Sequence, residues 1–113
     1  MIRGISPARI DLKRLRRLAR QVAALLPVRS VILFGSRARG DAGPESDVDI
    51  LVVTREPVGG DASLKLRLQL EYDFPLDLIV IDAERLRWRL EQGDNLLREA
   101  REHGKVLYEA PDP

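Results

Sequence analysis

Two short apolar runs bracket Gly35-Ser36, ten further residues and Asp47-Val48-Asp49, and nothing else in the chain constrains its fold as tightly. The run before is Ser30-Val31-Ile32-Leu33-Phe34; the run after is Ile50-Leu51-Val52-Val53. Both are short, rich in β-branched residues and bounded by turn-forming residues, so each reads as a buried strand, over 30–34 and 47–53. Side chains two apart on a strand share a face. Asp47 and Asp49 therefore project together, Leu51 and Val53 carry that face into the core, and Val48, Ile50 and Val52 cover the other. A strand with acids only at its start holds them at an edge of the core.

A third strand reads over Pro75-Leu76-Asp77-Leu78-Ile79-Val80-Ile81, again with one acid near its start and Ile79 and Ile81 on the same face. In a common sheet, Asp77 converges with Asp47 and Asp49. Two carboxylates about 4 Å apart repel by roughly 4 kcal/mol at an effective dielectric near 20. Three of them need raised pKa values or a bound cation. Oxygen donors without His or Cys favour Mg²⁺ or Mn²⁺, and two such ions suit an activated hydroxyl and a departing pyrophosphate. Gly35 permits close backbone approach to a phosphate, and Ser36 adds an N–H and a hydroxyl. Arg37 and Arg39 are candidates to neutralise triphosphate oxygens.

The rest of the chain frames this unit. Ser6-Pro7 reads as a helix start, and Leu12, Leu15, Leu18, Val22, Leu25 and Leu26 recur at helical spacing up to Pro27. Lys13, Arg16, Arg17 and Arg20 fall opposite, as a solvated face or a docking surface for an acidic partner. A helical turn over 37–40 ends at Gly40, and Asp41 to Ser46 is a loop, with Asp41 and Glu45 at its surface. Over 61–72 leucines alternate with polar residues, a strand pattern. The residues themselves are strong helix formers, so a helix is expected, with Asp61 at its start. Helices follow over 83–91, capped by Asp82, and over 95–103, then a short strand over 106–108. His103 lies at a helix end, where the dipole favours a cation. Tyr72, Trp88 and Tyr108 read as core or interface residues. These elements predict an α/β (α+β) fold, with a small mixed sheet and helices packed against it.

At 113 residues the chain suits one domain, 1–113, with 110–113 as a tail. A formal net charge of +1 gives no field to draw it onto nucleic acid or membrane, and the aromatic content is thin for base stacking. No apolar run approaches a membrane span, and the N-terminus lacks the apolar core of a secretory leader. With no Cys there are no disulfides or thiolate metal sites, which fits a cytoplasmic enzyme.

Leu33-Phe34-Gly35-Ser36-Arg37-Ala38-Arg39-Gly40-Asp41 followed by Ser46-Asp47-Val48-Asp49-Ile50-Leu51-Val52 resembles the signature of the DNA polymerase β-type nucleotidyltransferases. The size and the ten-residue gap resemble its minimal nucleotidyltransferase (MNT) family. Asp77-Leu78-Ile79-Val80 is similar to the family's third-aspartate strand, and Gly104-Lys105-Val106-Leu107-Tyr108 to its usual C-terminal ending; 54–75 is not diagnostic. The resemblance implies a polymerase β-like fold and transfer of a nucleoside monophosphate, AMP from ATP, to a hydroxyl. Asp47, Asp49 and Asp77 would hold Mg²⁺, Asp77 would also accept the hydroxyl proton, and Gly35 and Ser36 would hold the triphosphate. Many MNT proteins resemble antitoxins that modify a tyrosine of a helical HEPN-type toxin, so such a partner is expected. Two other readings stay open: transfer to a small molecule such as an aminoglycoside, and a non-catalytic module that blocks its partner by occupancy.

Overall fold

The structure is a computed structural model that describes residues 10–43 and 46–111. Among them the order is α1 (Leu12–Leu25), β1 (Val28–Phe34), α2 (Ser36–Arg39), β2 (Val48–Thr54), α3 (Ala62–Gln69), β3 (Leu76–Asp82), α4 (Ala83–Glu91), α5 (Asn95–His103) and β4 (Lys105–Glu109). Every expected element is present; the helices over 83–91 and 95–103 have the expected ends, and the other ends, the start of α1 aside, shift by no more than three residues. The Ser6-Pro7 helix start lies outside the described residues; α1 begins at Leu12 and is capped by Asp11, whose carboxylate accepts from the Arg14 N–H at 2.9 Å.

The sheet runs β3-β2-β1-β4. Strand β1 is antiparallel to both neighbours, while β2 and β3 are parallel, as the intervening helix α3 requires. Strict alternation along the central strands sends side chains into two layers. Val31, Leu33, Val48, Ile50 and Val52 pack against Leu15, Leu18 and Val22 of α1 and Leu66 of α3. Phe34, Leu51 and Val53 pack against Ile81 of β3 and Leu97 and Ala100 of α5, with Leu86 and Leu90 of α4 at the margin. The sheet is thus sandwiched between helices. Full burial of each such aliphatic side chain is worth roughly 1.5–3 kcal/mol.

The ambiguous segment 61–72 is helical over Ala62–Gln69. Its alternating leucines do not share one face: Leu66 is buried, whereas Leu64 and Leu68 are 57% and 76% exposed. Asp61 occupies the N-cap position without a capping bond and faces Lys65 at 3.5 Å instead. Asp82 does cap α4, through the Arg85 N–H at 2.9 Å. Tyr72 and Tyr108 are half-buried against the larger core, while Trp88 is 55% exposed on α4.

Gly104 makes the close join between α5 and β4. A Cβ there would lie 2.2 Å from the Ala100 carbonyl oxygen, 2.5 Å from Ile32 Cγ2 and 2.8 Å from the Leu33 carbonyl oxygen. Two of the three are backbone atoms of adjoining elements and cannot swing aside. Gly104→Ala is expected to cost about 1–3 kcal/mol in urea denaturation. Gly60→Ala, where a Cβ meets nothing within 4 Å, should shift stability by less than about 0.5 kcal/mol. Equal effects of the two would refute this packing.

Candidate functional site

The parallel register of β2 and β3 pairs Asp49 with Asp77 directly across the ladder. Two bonds fasten the strand entries where these acids sit. The Val48 N–H donates to the Pro75 carbonyl at 2.9 Å, and the Arg67 guanidinium of α3 donates to the Leu76 carbonyl at 2.6 Å. On its other side Asp49 pairs with Phe34, the last residue of β1. The chain then turns at Gly35, with φ +76, and starts α2 at Ser36. A Cβ on Gly35 would lie 2.2 Å from Asp49 Oδ2, so the turn closes against that carboxylate, and the positive φ favours glycine there.

An open cleft of about 560 Å³ lies here, lined by Gly35, Ser36, Arg39, Asp49 and Asp77, with Phe34, Leu78, Ile79 and Leu96 as apolar wall. Burial pushes the Asp49 carboxyl above its ordinary value, and the charges of Asp77 and then Asp47 add to this. Asp77 is also close enough to hydrogen-bond it, while the charge of Arg39 works the other way. Asp47 stands exposed one residue before β2, and acts on Asp49 through charge. Among the described residues no three acidic or imidazole groups are drawn into a ready-made ion cage. The donor set is nevertheless carboxylate oxygen throughout, which fits a hard divalent cation better than any other metal.

Of the seven expected site residues, five line one cleft and Asp47 stands beside it. Arg37 is not brought there. Its guanidinium donates to the Ser46 carbonyl at 3.2 and 2.9 Å, tying the two ends of the 37–46 connection, and it lines a separate depression with Asp11 and Leu15. Arg39 does reach the cleft, held by Asp41 at 3.2 Å and Glu99 at 2.9 Å. Asp41 first, then Glu99, raises the Arg39 guanidinium further above its ordinary value, so it stays charged. Glu99 and Leu96 were absent from the sequence reading. Their only signal is position: Leu97 and Ala100 turn α5 onto the core and leave 96 and 99 on the flank that borders the cleft.

A family model described as "Nucleotidyltransferase domain" matches residues 15–107. The Methanocaldococcus jannaschii protein named "Putative protein adenylyltransferase MJ0604" is 36% identical over 85 residues, covering 72% of this chain and 79% of that one. A crystal structure described as a putative nucleotidyltransferase from Sulfolobus solfataricus superposes with a TM-score of 0.59 at 24% identity, covering 87% of this chain and 79% of that one. A structure described as a toxin-antitoxin with AMP-PNP superposes with a TM-score of 0.60 at 22% identity, covering 89% and 75%. At such identities the two solved structures show a common fold.

The raised Asp49 carboxyl carries a prediction about stability. The folded state binds the proton more tightly than the unfolded chain. The stability advantage of that proton is full below the ordinary value of 3.8 and fades as pH rises through the raised one. Asp77→Asn removes one repelling charge. The variant should exceed the wild type in denaturant stability by about 0.5–2 kcal/mol at neutral pH. The gap should shrink as pH falls through the raised Asp49 value and be smallest below 3.8. A less stable variant at neutral pH would refute the repulsion.

Proposed function

The chain belongs to the nucleotidyltransferase domain family, and from that premise we propose that it transfers AMP from ATP to a hydroxyl of a protein partner, in the role of an antitoxin acting on a toxin. The observation that carries the chemistry is the pairing of Asp49 with Asp77 opposite the Gly35-Ser36 turn. The relative named as a protein adenylyltransferase supports a protein acceptor, and the fold shared with a toxin-antitoxin structure holding AMP-PNP supports both the nucleotide and the partner. The MNT resemblance extends this to a tyrosine of a helical HEPN-type toxin.

Asp47, Asp49 and Asp77 are the residues that would hold Mg²⁺, or Mn²⁺ in its place. Such ions, when bound, neutralise polyphosphate charge and ease deprotonation of an acceptor hydroxyl. Gly35 and Ser36 seat the triphosphate, and Arg39 adds a fixed positive charge beside it. The acceptor oxygen attacks the α-phosphorus and forms a new P–O bond. The bond from that phosphorus to the bridging oxygen breaks, and pyrophosphate leaves with the electron pair. Asp77 accepts the hydroxyl proton. The exposed rim of the cleft leaves room for an acceptor carried on another protein.

The test is to purify the chain with the protein it captures, add ATP and Mg²⁺, and follow the partner by mass spectrometry. One adenylyl group should appear on a tyrosine. Asp77→Asn should slow its appearance by roughly a hundred- to ten-thousandfold, and EDTA should abolish it. An inhibited but unmodified partner, or transfer to a small molecule alone, would overturn the reading.

A further inference from the structure

A second depression, of about 300 Å³, opens on the sheet face that carries Asp49, where Leu51 and Val53 continue that face under α4 and α5. Its floor is aliphatic, with Ile32, Leu86 and Leu90 half-buried along it. Its rim holds Arg29, Arg87 and Arg101, all exposed, and no carboxylate lines it. None of these three arginines enters an ion pair among the described residues, whereas Arg14, Arg39 and Arg89 each meet an acid.

Three like charges around an apolar floor repel one another, and no ion pair among the described residues offsets this. An anionic ligand relieves it. Guanidinium groups bind carboxylates in a bidentate fork and are enriched where proteins meet. An apolar floor with an arginine rim matches one apolar side and one acidic side on the same ligand. Nucleic acid fits poorly: no aromatic ring lines the groove for a base, and a formal net charge of +1 supplies no long-range attraction. A bare phosphate would leave the aliphatic floor facing water.

We propose that this groove docks an acidic amphipathic segment of the protein partner, its apolar side on Ile32, Leu86 and Leu90 and its carboxylates on Arg29, Arg87 and Arg101. The proposal rests on the reading that the acceptor is a protein. Helix α5 borders both sites: Leu96 and Glu99 line the cleft, and Arg101 lines the groove. One helix is about 10 Å across. A partner anchored in the groove therefore keeps its acceptor hydroxyl within short reach of Asp49 and Asp77, which raises its local concentration at the cleft.

The probe is a fluorescein-labelled helical peptide of about fourteen Glu and Leu residues, the length of an average helix. Its controls are the same peptide with Lys for every Glu and with Ala for every Leu. In fluorescence anisotropy with the full chain, the acidic amphipathic peptide should bind at least about tenfold more tightly than either control. Arg29→Glu, Arg87→Glu and Arg101→Glu together should weaken it by at least about tenfold, and neutral Arg87→Gln with Arg101→Gln by less. Both variants should bind ATP as the wild type does, which reports an intact fold and cleft. Equal binding of all three peptides, or no loss in the variants, overturns the groove. So does an arginine-dependent dimer in sedimentation, or tighter binding of a single-stranded oligonucleotide. Peptide binding without AMP transfer to any protein would leave the groove standing and fell the acceptor reading; transfer without peptide binding does the reverse.

Discussion

The parallel pairing of β2 with β3 is the constraint on which the rest depends. It places Asp49 opposite Asp77 at the entry of both strands, where the core ends and water begins. A one-residue slip in that register would turn every side chain of one strand to the opposite face and separate the two acids. The register is held because Val48, Ile50 and Val52 must face α1 and α3 while Leu51 and Val53 face α5. The fold thus uses apolar burial on both sides of a sheet to hold two carboxylates in an arrangement that electrostatics alone disfavours.

The turn after β1 belongs to the same constraint. Gly35 is required by its positive φ, and the Asp49 carboxylate closes against it. The motif glycine and the motif aspartate are therefore one structural unit, contributed by neighbouring antiparallel strands. Arg39 joins this unit through α2, and Glu99 fixes it from α5 across 60 positions of sequence. The charge distribution around the cleft alternates: acids at the strand entries, a guanidinium beside them, and acids again behind the guanidinium.

Much of this was legible in the chain, because it follows from period-two alternation. The alternation in 47–53 assigned each side chain of β2 to its layer, and the single acid of 75–81 marked the partner strand. Helix formers outweighed the apparent alternation in 61–72, since Leu64 and Leu68 have no core to face. Three things were beyond local pattern. Arg37 and Arg39 stand two apart on a single turn of helix, so they leave it in different directions, one to the Ser46 carbonyl and one to the cleft. Glu99 enters only through the packing of α5. The capping role of Asp61 failed because its carboxylate faces Lys65 rather than the helix amides.

The central claim is that Asp49 and Asp77 act as a pair in holding a divalent cation with the nucleotide. Mn²⁺ binding followed by electron paramagnetic resonance, with a non-hydrolysable ATP analogue present, tests it most directly. The wild type should withdraw Mn²⁺ from solution, and Asp49→Asn and Asp77→Asn should each weaken that binding by at least about tenfold. Unchanged Mn²⁺ affinity in Asp77→Asn, with the fold intact, would contradict the account.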